Sequence, residues 1–187
     1  MTRTILIGCL AWLVCGCSRS TPSWDASLPK TIRVSSSAFE DGQPIPSKYT
    51  EDGENISPPI AWDNLPPDAK ILVLICDDPD APGREPWVHW ILYNISAKHT
   101  ELPEGLKLAA ADDAPFGNEG LNSWTSGVTS GYRGPAPPPG ALHHYRFRLY
   151  ALHGLVNLKS ANRQSLFFAM PKSGVIAWGE LIGTYQR

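Results

Sequence analysis

From Thr31 onward the chain is patterned by two-residue alternation and short apolar runs, the spacing of strands, and helical spacing enters only near its end. Thr31 to Ser35 alternates, and Ile60 to Leu65 forms a second short candidate strand after Ser57-Pro58-Pro59. Lys70 to Asp77 holds the unbroken run Ile71-Leu72-Val73-Leu74-Ile75-Cys76, which predicts a central strand covered on both faces. In Trp87 to Ile95, strict alternation puts Trp87, His89, Ile91, Tyr93 and Ile95 on one face and Val88, Trp90, Leu92 and Asn94 on the other. His143 to Leu152 alternates most cleanly, with His143, Tyr145, Phe147, Leu149 and Ala151 inward and His144, Arg146, Arg148 and Tyr150 outward. Near the end, Ser160 is placed to cap a helix over Ala161 to Met170, Pro171 to break it, and Ser173 to cap a second helix from Gly174 to about Ile182. The pattern predicts a mainly β domain over 31–187 with short C-terminal helices, its strands joined by proline-rich, ordered loops.

Composition narrows what such a domain does. The chain has 187 residues, a net charge of −2 and no basic block, which leaves no electrostatic footprint for nucleic acid. Its 10% aromatic content is that of a chain with a core, not of a disordered one. Of the cysteines Cys9, Cys15, Cys17 and Cys76, three precede residue 18 and belong to a targeting segment. Arg3 begins it, Ile5 to Val14 is an apolar run too short to span a bilayer, and Gly16 and Ser18 flank Cys17. Val14-Cys15-Gly16-Cys17 resembles a bacterial lipobox, in which cleavage precedes the lipidated cysteine. This predicts a lipoprotein-type signal peptide over 1–16, lipidation at Cys17 and a flexible tether over 17–30. The expected location is the cell envelope, lipid-anchored on the periplasmic side, with Ser18 favouring the outer membrane. The alternative is an ordinary secretory signal cut near Ser20, giving a secreted or soluble periplasmic protein. Cys76 reads as a buried small hydrophobe, so the cysteines supply neither a disulfide framework nor a zinc site.

Candidate chemistry gathers at strand ends. His89 and His143 lie near the starts of two strands, and Asp78 and Asp80 follow the end of a third. Taken singly, each has a structural explanation: a core histidine, or a turn aspartate bonding local amides. Together with Gly134-Pro135-Ala136-Pro137-Pro138-Pro139-Gly140, a rigid loop running up to His143, they predict convergence on one site.

These blocks carry a resemblance. Asp77-Asp78-Pro79-Asp80-Ala81-Pro82, Trp87-Val88-His89-Trp90, Gly131-Tyr132-Arg133-Gly134-Pro135 and His143-His144-Tyr145 resemble the phosphatidylethanolamine-binding protein family, in its bacterial Raf-kinase-inhibitor-like branch. Asp52-Gly53-Glu54-Asn55-Ile56-Ser57-Pro58-Pro59, Trp62 and Gly183-Thr184-Tyr185-Gln186-Arg187 support it. The resemblance implies a central Greek-key sheet, a small flanking sheet and an anion pocket made by Asp78, His89, Gly134, Pro138, His143 and Tyr145. The imidazoles, the Tyr145 hydroxyl and glycine amides would donate to a phosphate-sized anion, with Asp78 orienting or charging a histidine. The Ala81-Pro82 bond is a candidate for the cis isomer. Two departures from the branch stand out: a Ser/Gly/Thr-rich stretch from Asn118 to Ser130 containing Trp124, and an end at Arg187 without the extra helix of eukaryotic members.

The favoured function is therefore a binding protein for a small phosphorylated ligand or phospholipid headgroup, acting without catalysis and without a cofactor. The alternative is an inhibitor or interaction protein acting on a protease or kinase-like partner, and a homodimer is a further open partner. An enzyme reading has weaker support: His89, His143 and Asp78 match a two-histidine, one-carboxylate metal set, but no metal is assigned. No Gly-x-Ser-x-Gly turn or phosphate-binding Gly-x-x-x-x-Gly-Lys loop occurs.

Overall fold

The computed structural model describes residues 24–108, 116–125 and 129–187; the expected signal peptide, Cys17 and the first part of the tether lie outside the described residues. The apolar run becomes β3 (Ile71–Asp78), which pairs antiparallel with β4 (Trp87–Ser96) on one side and β7 (His143–Leu152) on the other. With β6 (Asn118–Glu119) beyond β4 and β8 (Val175–Tyr185) beyond β7, this makes a five-stranded sheet ordered β6-β4-β3-β7-β8. β1 (Arg33–Ser35), β2 (Ile60–Asp63) and β5 (Glu101–Leu102) form a second, three-stranded antiparallel sheet. The expected mainly β, two-sheet architecture holds.

β3 is buried along its length because both of its faces are covered, as its unbroken apolar run requires. On one face Leu72, Leu74 and Cys76 meet Phe147, Leu149 and Trp90, with Ile60, Trp62 and Leu102 of the small sheet above them. On the other, Val73 and Ile75 meet Tyr150 and Leu152 beneath the single described α-helix, α1 (Arg163–Ala169), which contributes Leu166.

Two expectations about the C-terminal region are corrected. The helix is capped by Asn162, not Ser160: its side chain accepts the Ser165 amide at 2.8 Å, and Ser165 Oγ accepts the Asn162 amide at 3.0 Å, a reciprocal cap. The second helix does not form. Met170–Ser173 is a 3-10 turn closed by Gly174 at φ 74°, a left-handed conformation that ends the helical path. Val175 then enters β8, which pairs with β7 from His143↔Tyr185 to Leu152↔Val175. Gly179 and Gly183, poor helix residues in any case, sit where a Cβ would collide with Ile32 and Ile45, so close packing of these residues against β8 chose them.

Strict alternation also fails in β4. Cys76 pairs with Trp90 and Asp77 with Val88, leaving His89 as an extra, bulged residue. A second irregularity falls at Asn94, φ 61°, whose side chain bonds both the N–H and the C=O of Val156. His89 and Ile95 therefore stay on the small-sheet side with Trp90, while Ile91 and Tyr93 turn toward α1. The Ala81-Pro82 bond is trans, like every peptide bond among the described residues; the Asp78 carboxylate and Gly83, at φ 147°, shape that loop instead.

Where the described chain begins, Trp24–Ser27 forms a 3-10 turn, and the Trp24 indole N–H donates to Phe167 O at 3.1 Å. Residues from Trp24 onward thus lie against the domain.

Candidate functional site

At one end of the five-stranded sheet, the last residue of β3 and the first of β7 bring Asp78 and His143 together. Asp78 Oδ1 accepts the amides of Asp80 (2.8 Å) and Ala81 (3.1 Å), and Oδ2 lies 2.7 Å from His143 Nδ1. A carboxylate only accepts, so Nδ1 of His143 carries the hydrogen and Nε2 is left for the pocket. The β4 bulge delivers His89. Its Nδ1 lies 2.7 Å from the Arg133 carbonyl, while the Arg133 amide donates to His89 O at 3.0 Å. Nδ1 of His89 is therefore also a donor, and both rings are held in one tautomer with Nε2 as the remaining nitrogen.

Between them stands Tyr145, 1% exposed, its ring 5.0 Å from that of His89 and at 81° to it. Its buried hydroxyl has no hydrogen-bond partner among the described residues. Burial, with the Asp78 charge adding to it, pushes its pKa up, so the hydroxyl stays protonated and remains a donor. Burial holds the His89 pKa below the ordinary imidazole value, outweighing its bond to Arg133 O and the charge of Asp78.

Together these groups line a cavity of about 470 Å³. Asp78, His89, Pro138, His143 and Tyr145 all line it, as the sequence reading expects. Gly134 does not: its amide donates to Asn55 Oδ1 at 2.8 Å, and a Cβ there would collide with Tyr49 O, so it serves close packing behind the pocket rather than ligand donation. The cavity also contains residues the sequence reading missed. Trp124 packs edge-on to His89 at 5.1 Å and to Trp87 at 5.4 Å, and the Arg133 guanidinium lies 4.6 Å from the Trp124 ring. Glu51 joins the wall and accepts from Arg133 Nε at 2.6 Å. Arg187 reaches the cavity while bound through Nε and Nη2 to the Asp52 carboxylate, at 2.8 and 2.7 Å. That pair raises the Arg187 pKa and, with the Tyr185 hydroxyl, lowers that of Asp52. A lone tryptophan in a Ser/Gly/Thr-rich loop and an arginine closing a recognisable block were the available signals.

Among the described residues, no three His, Cys, Asp or Glu side chains are arranged to hold a metal ion. Asp78 spends both oxygens on the loop amides and His143.

The sequence model described as phosphatidylethanolamine-binding protein matches residues 35–186. The chain belongs to the phosphatidylethanolamine-binding protein family. It is 44% identical over 157 residues to a UPF0098 protein of Methanothermobacter thermautotrophicus, covering 83% of this chain and 99% of that one. Among solved structures, it resembles a phosphatidylethanolamine-binding protein homologue of Chlamydia trachomatis (TM-score 0.73, 40% identity, 84% of this chain and 99% of that one). It also resembles E. coli YbcL, described as a member of the mammalian PEBP family (TM-score 0.73, 28% identity, 84% and 99%). The domain is thus a bacterial-type PEBP-like domain, and the end of its central sheet carries the cavity.

Proposed function

We propose that this PEBP-like domain is an extracytoplasmic binding protein that holds a small phosphate-type anion, free or as a phospholipid headgroup, without transforming it. The observation that carries the reading is the Tyr145 hydroxyl, buried and unpartnered among the described residues, in a cavity lined by two imidazoles whose Nδ1 atoms are already committed. A buried hydroxyl with no acceptor costs the fold about 1–3 kcal/mol, a cost an anion oxygen would remove. The Nε2 atoms, once protonated, and the Arg187 guanidinium supply further charged donors around the same space. Trp87, Trp124 and Glu51 offer aromatic faces and a carboxylate beside these donors, a setting suited to an ammonium group attached to the phosphate.

No group on this list is set up as a nucleophile with its own base, which favours binding over catalysis. Lipidation at Cys17 would hold the domain beside phospholipid headgroups, where modest affinity suffices through effective concentration.

Calorimetric titration with phosphoethanolamine and with inorganic phosphate tests the pocket. Binding by the wild type that is lost or sharply weakened in His89→Ala and His143→Ala is expected; unchanged affinity in both variants overturns this site.

A further inference from the structure

Across the sheet from the anion cavity, on the α1 side, lies a groove of about 400 Å³ floored by Trp24, Val88, Leu121 and Phe167, with Phe168 on its lip. Phe168, and Leu155, whose carbonyl accepts from Ser173 Oγ at 2.9 Å just beyond the groove residue Pro171, are each 65% exposed, unusual for large apolar side chains. Residues 153–174, which build this face, include Lys159, Arg163 and Lys172 and contain no Asp or Glu. Glu180 is the sole acidic residue after Glu119. In a chain of net charge −2, positive charge is thus collected beside exposed apolar groups. Arg163 is partly spent, on Asp77 (2.9 Å) and on Glu85 at the groove rim (3.4 Å), and Asp25 follows Trp24 in sequence, but Lys159 and Lys172 are exposed. Trp24 is both a wall of the groove and the first described residue, so the chain that precedes it is attached at this rim. Cys17 stands seven residues before it, within about 25 Å of extended chain.

We propose that this face docks on an anionic lipid surface, with Phe168 and Leu155 entering the boundary between headgroups and acyl chains and Lys159 and Lys172 facing the anionic headgroups. Apolar anchors beside lysines are the combination that binds such a surface, and each exposed lysine adds to the attraction. Lipidation at Cys17, which belongs to the function proposed above, brings the membrane to the side of the domain that is equipped to meet it. The proposal does not rest on the anion cavity, which opens on the other face of the sheet.

Amide hydrogen exchange on the lipidated chain from Cys17 onward tests it, read for 162–173 and, as a control on the small-sheet side, for 99–107. The states compared are solution, vesicles of phosphatidylcholine alone, and vesicles of phosphatidylcholine with phosphatidylglycerol. Exchange over 162–173 is expected to slow by about tenfold on the mixed vesicles, less on phosphatidylcholine alone, with 99–107 unchanged. The double variant Phe168→Asp, Lys172→Glu alters exposed positions only. It is expected to exchange like wild type in solution, still pellet with vesicles through the lipid on Cys17, and lose the protection. Vesicle-bound chain whose 162–173 exchange matches that in solution overturns the proposal. So does equal protection of both segments, and so does protection as strong on phosphatidylcholine alone as on the mixed vesicles.

Discussion

Because His89 Nδ1 donates to Arg133 O and His143 Nδ1 donates to Asp78, each neutral ring presents a lone pair, not a hydrogen, to the cavity. An anion oxygen is repelled by that lone pair and attracted by the N–H that replaces it on protonation. A ring that is neutral in the free protein therefore takes up a proton when the anion binds. For His89 the sign is clear: burial holds its pKa below 6.5, so the free protein near neutrality has the ring uncharged, and a bound anion raises that pKa. Each linked proton makes affinity fall about tenfold, about 1.36 kcal/mol, for every pH unit above the free-state pKa. With the one linked proton of His89 the decline approaches a hundredfold over about two pH units above that pKa. The Tyr145 hydroxyl and Arg187 hold their protons throughout this range and set the residual affinity. Sulfate is the clean probe, since it does not titrate there, and phosphoethanolamine is the comparison. Calorimetry in buffers of different ionisation enthalpy counts the protons taken up. Proton uptake of one or more per sulfate, with affinity rising from about pH 7.5 to about pH 5.5, is expected. Zero uptake with a flat affinity would refute the tautomer assignment on which the site's chemistry rests.

Further outcomes follow from single contacts. Tyr145→Phe removes a buried hydroxyl without a partner, so denaturant unfolding of the ligand-free domain should show stability unchanged or raised by up to about 1–3 kcal/mol, while anion affinity drops roughly tenfold to a hundredfold. Asp77→Ala deletes the fully buried carboxylate that accepts from Arg148 Nη2 and Arg163 Nε; urea unfolding should show a loss of about 3–5 kcal/mol, and a loss under 1 kcal/mol would mean the cluster relaxes or hydrates freely. Without ligand, the lowered His89 pKa makes the unfolded state the better proton binder. Its contribution to stability is complete above about pH 6.5 and lost as pH falls through the folded-state pKa; thermal melts should show sulfate opposing that loss. Cys17→Ser should shift the protein from the membrane to the soluble fraction, and an unchanged distribution would remove lipid anchoring.

Legibility in the sequence followed the range of the interactions involved. β7 was readable residue by residue because its alternation is undisturbed from His143 to Leu152, and β3 because both of its faces are apolar. β8 was misread as a helix because its evidence is non-local: the ladder to β7 and the contacts of Gly179 with Ile32 and Gly183 with Ile45 exist only once the sheet is assembled. The β4 bulge was invisible for the same reason, since a period-two reading has no term for one residue opposed by none. Asp78, His89, His143 and Tyr145 were legible as a group because each lies at or near a strand end and belongs to a compact block. Gly134 was assigned the wrong task because its block marks a close approach, and the sequence does not say whether a ligand or Asn55 makes it.

The bulge and the paired aspartates explain why this sheet end supports a site at all. β3 ends in Asp77-Asp78, two buried carboxylates on opposite faces. Asp77 turns toward α1, where Arg148 and Arg163 neutralise it, and Asp78 turns toward the cavity, where loop amides and His143 do. The neighbouring segments divide in the same way: Val88 lines the groove while Trp87 and His89 line the cavity, and Ser123 lines the groove while Trp124 lines the cavity. Asp78, Trp87, His89 and Trp124 thus each have a chain neighbour placed on the far side of the sheet. Rigidity of the anion site is then a property of the α1 face as much as of its own hydrogen bonds. Asp77→Asn, which keeps the side-chain volume but removes the charge that Arg148 and Arg163 share, should weaken phosphate binding although Asp77 does not line the cavity. Phe168→Asp, on the rim of the same groove but outside that cluster, should leave phosphate binding unchanged. If both variants bind phosphate like wild type, the two faces are independent and the cavity is held by its own contacts alone.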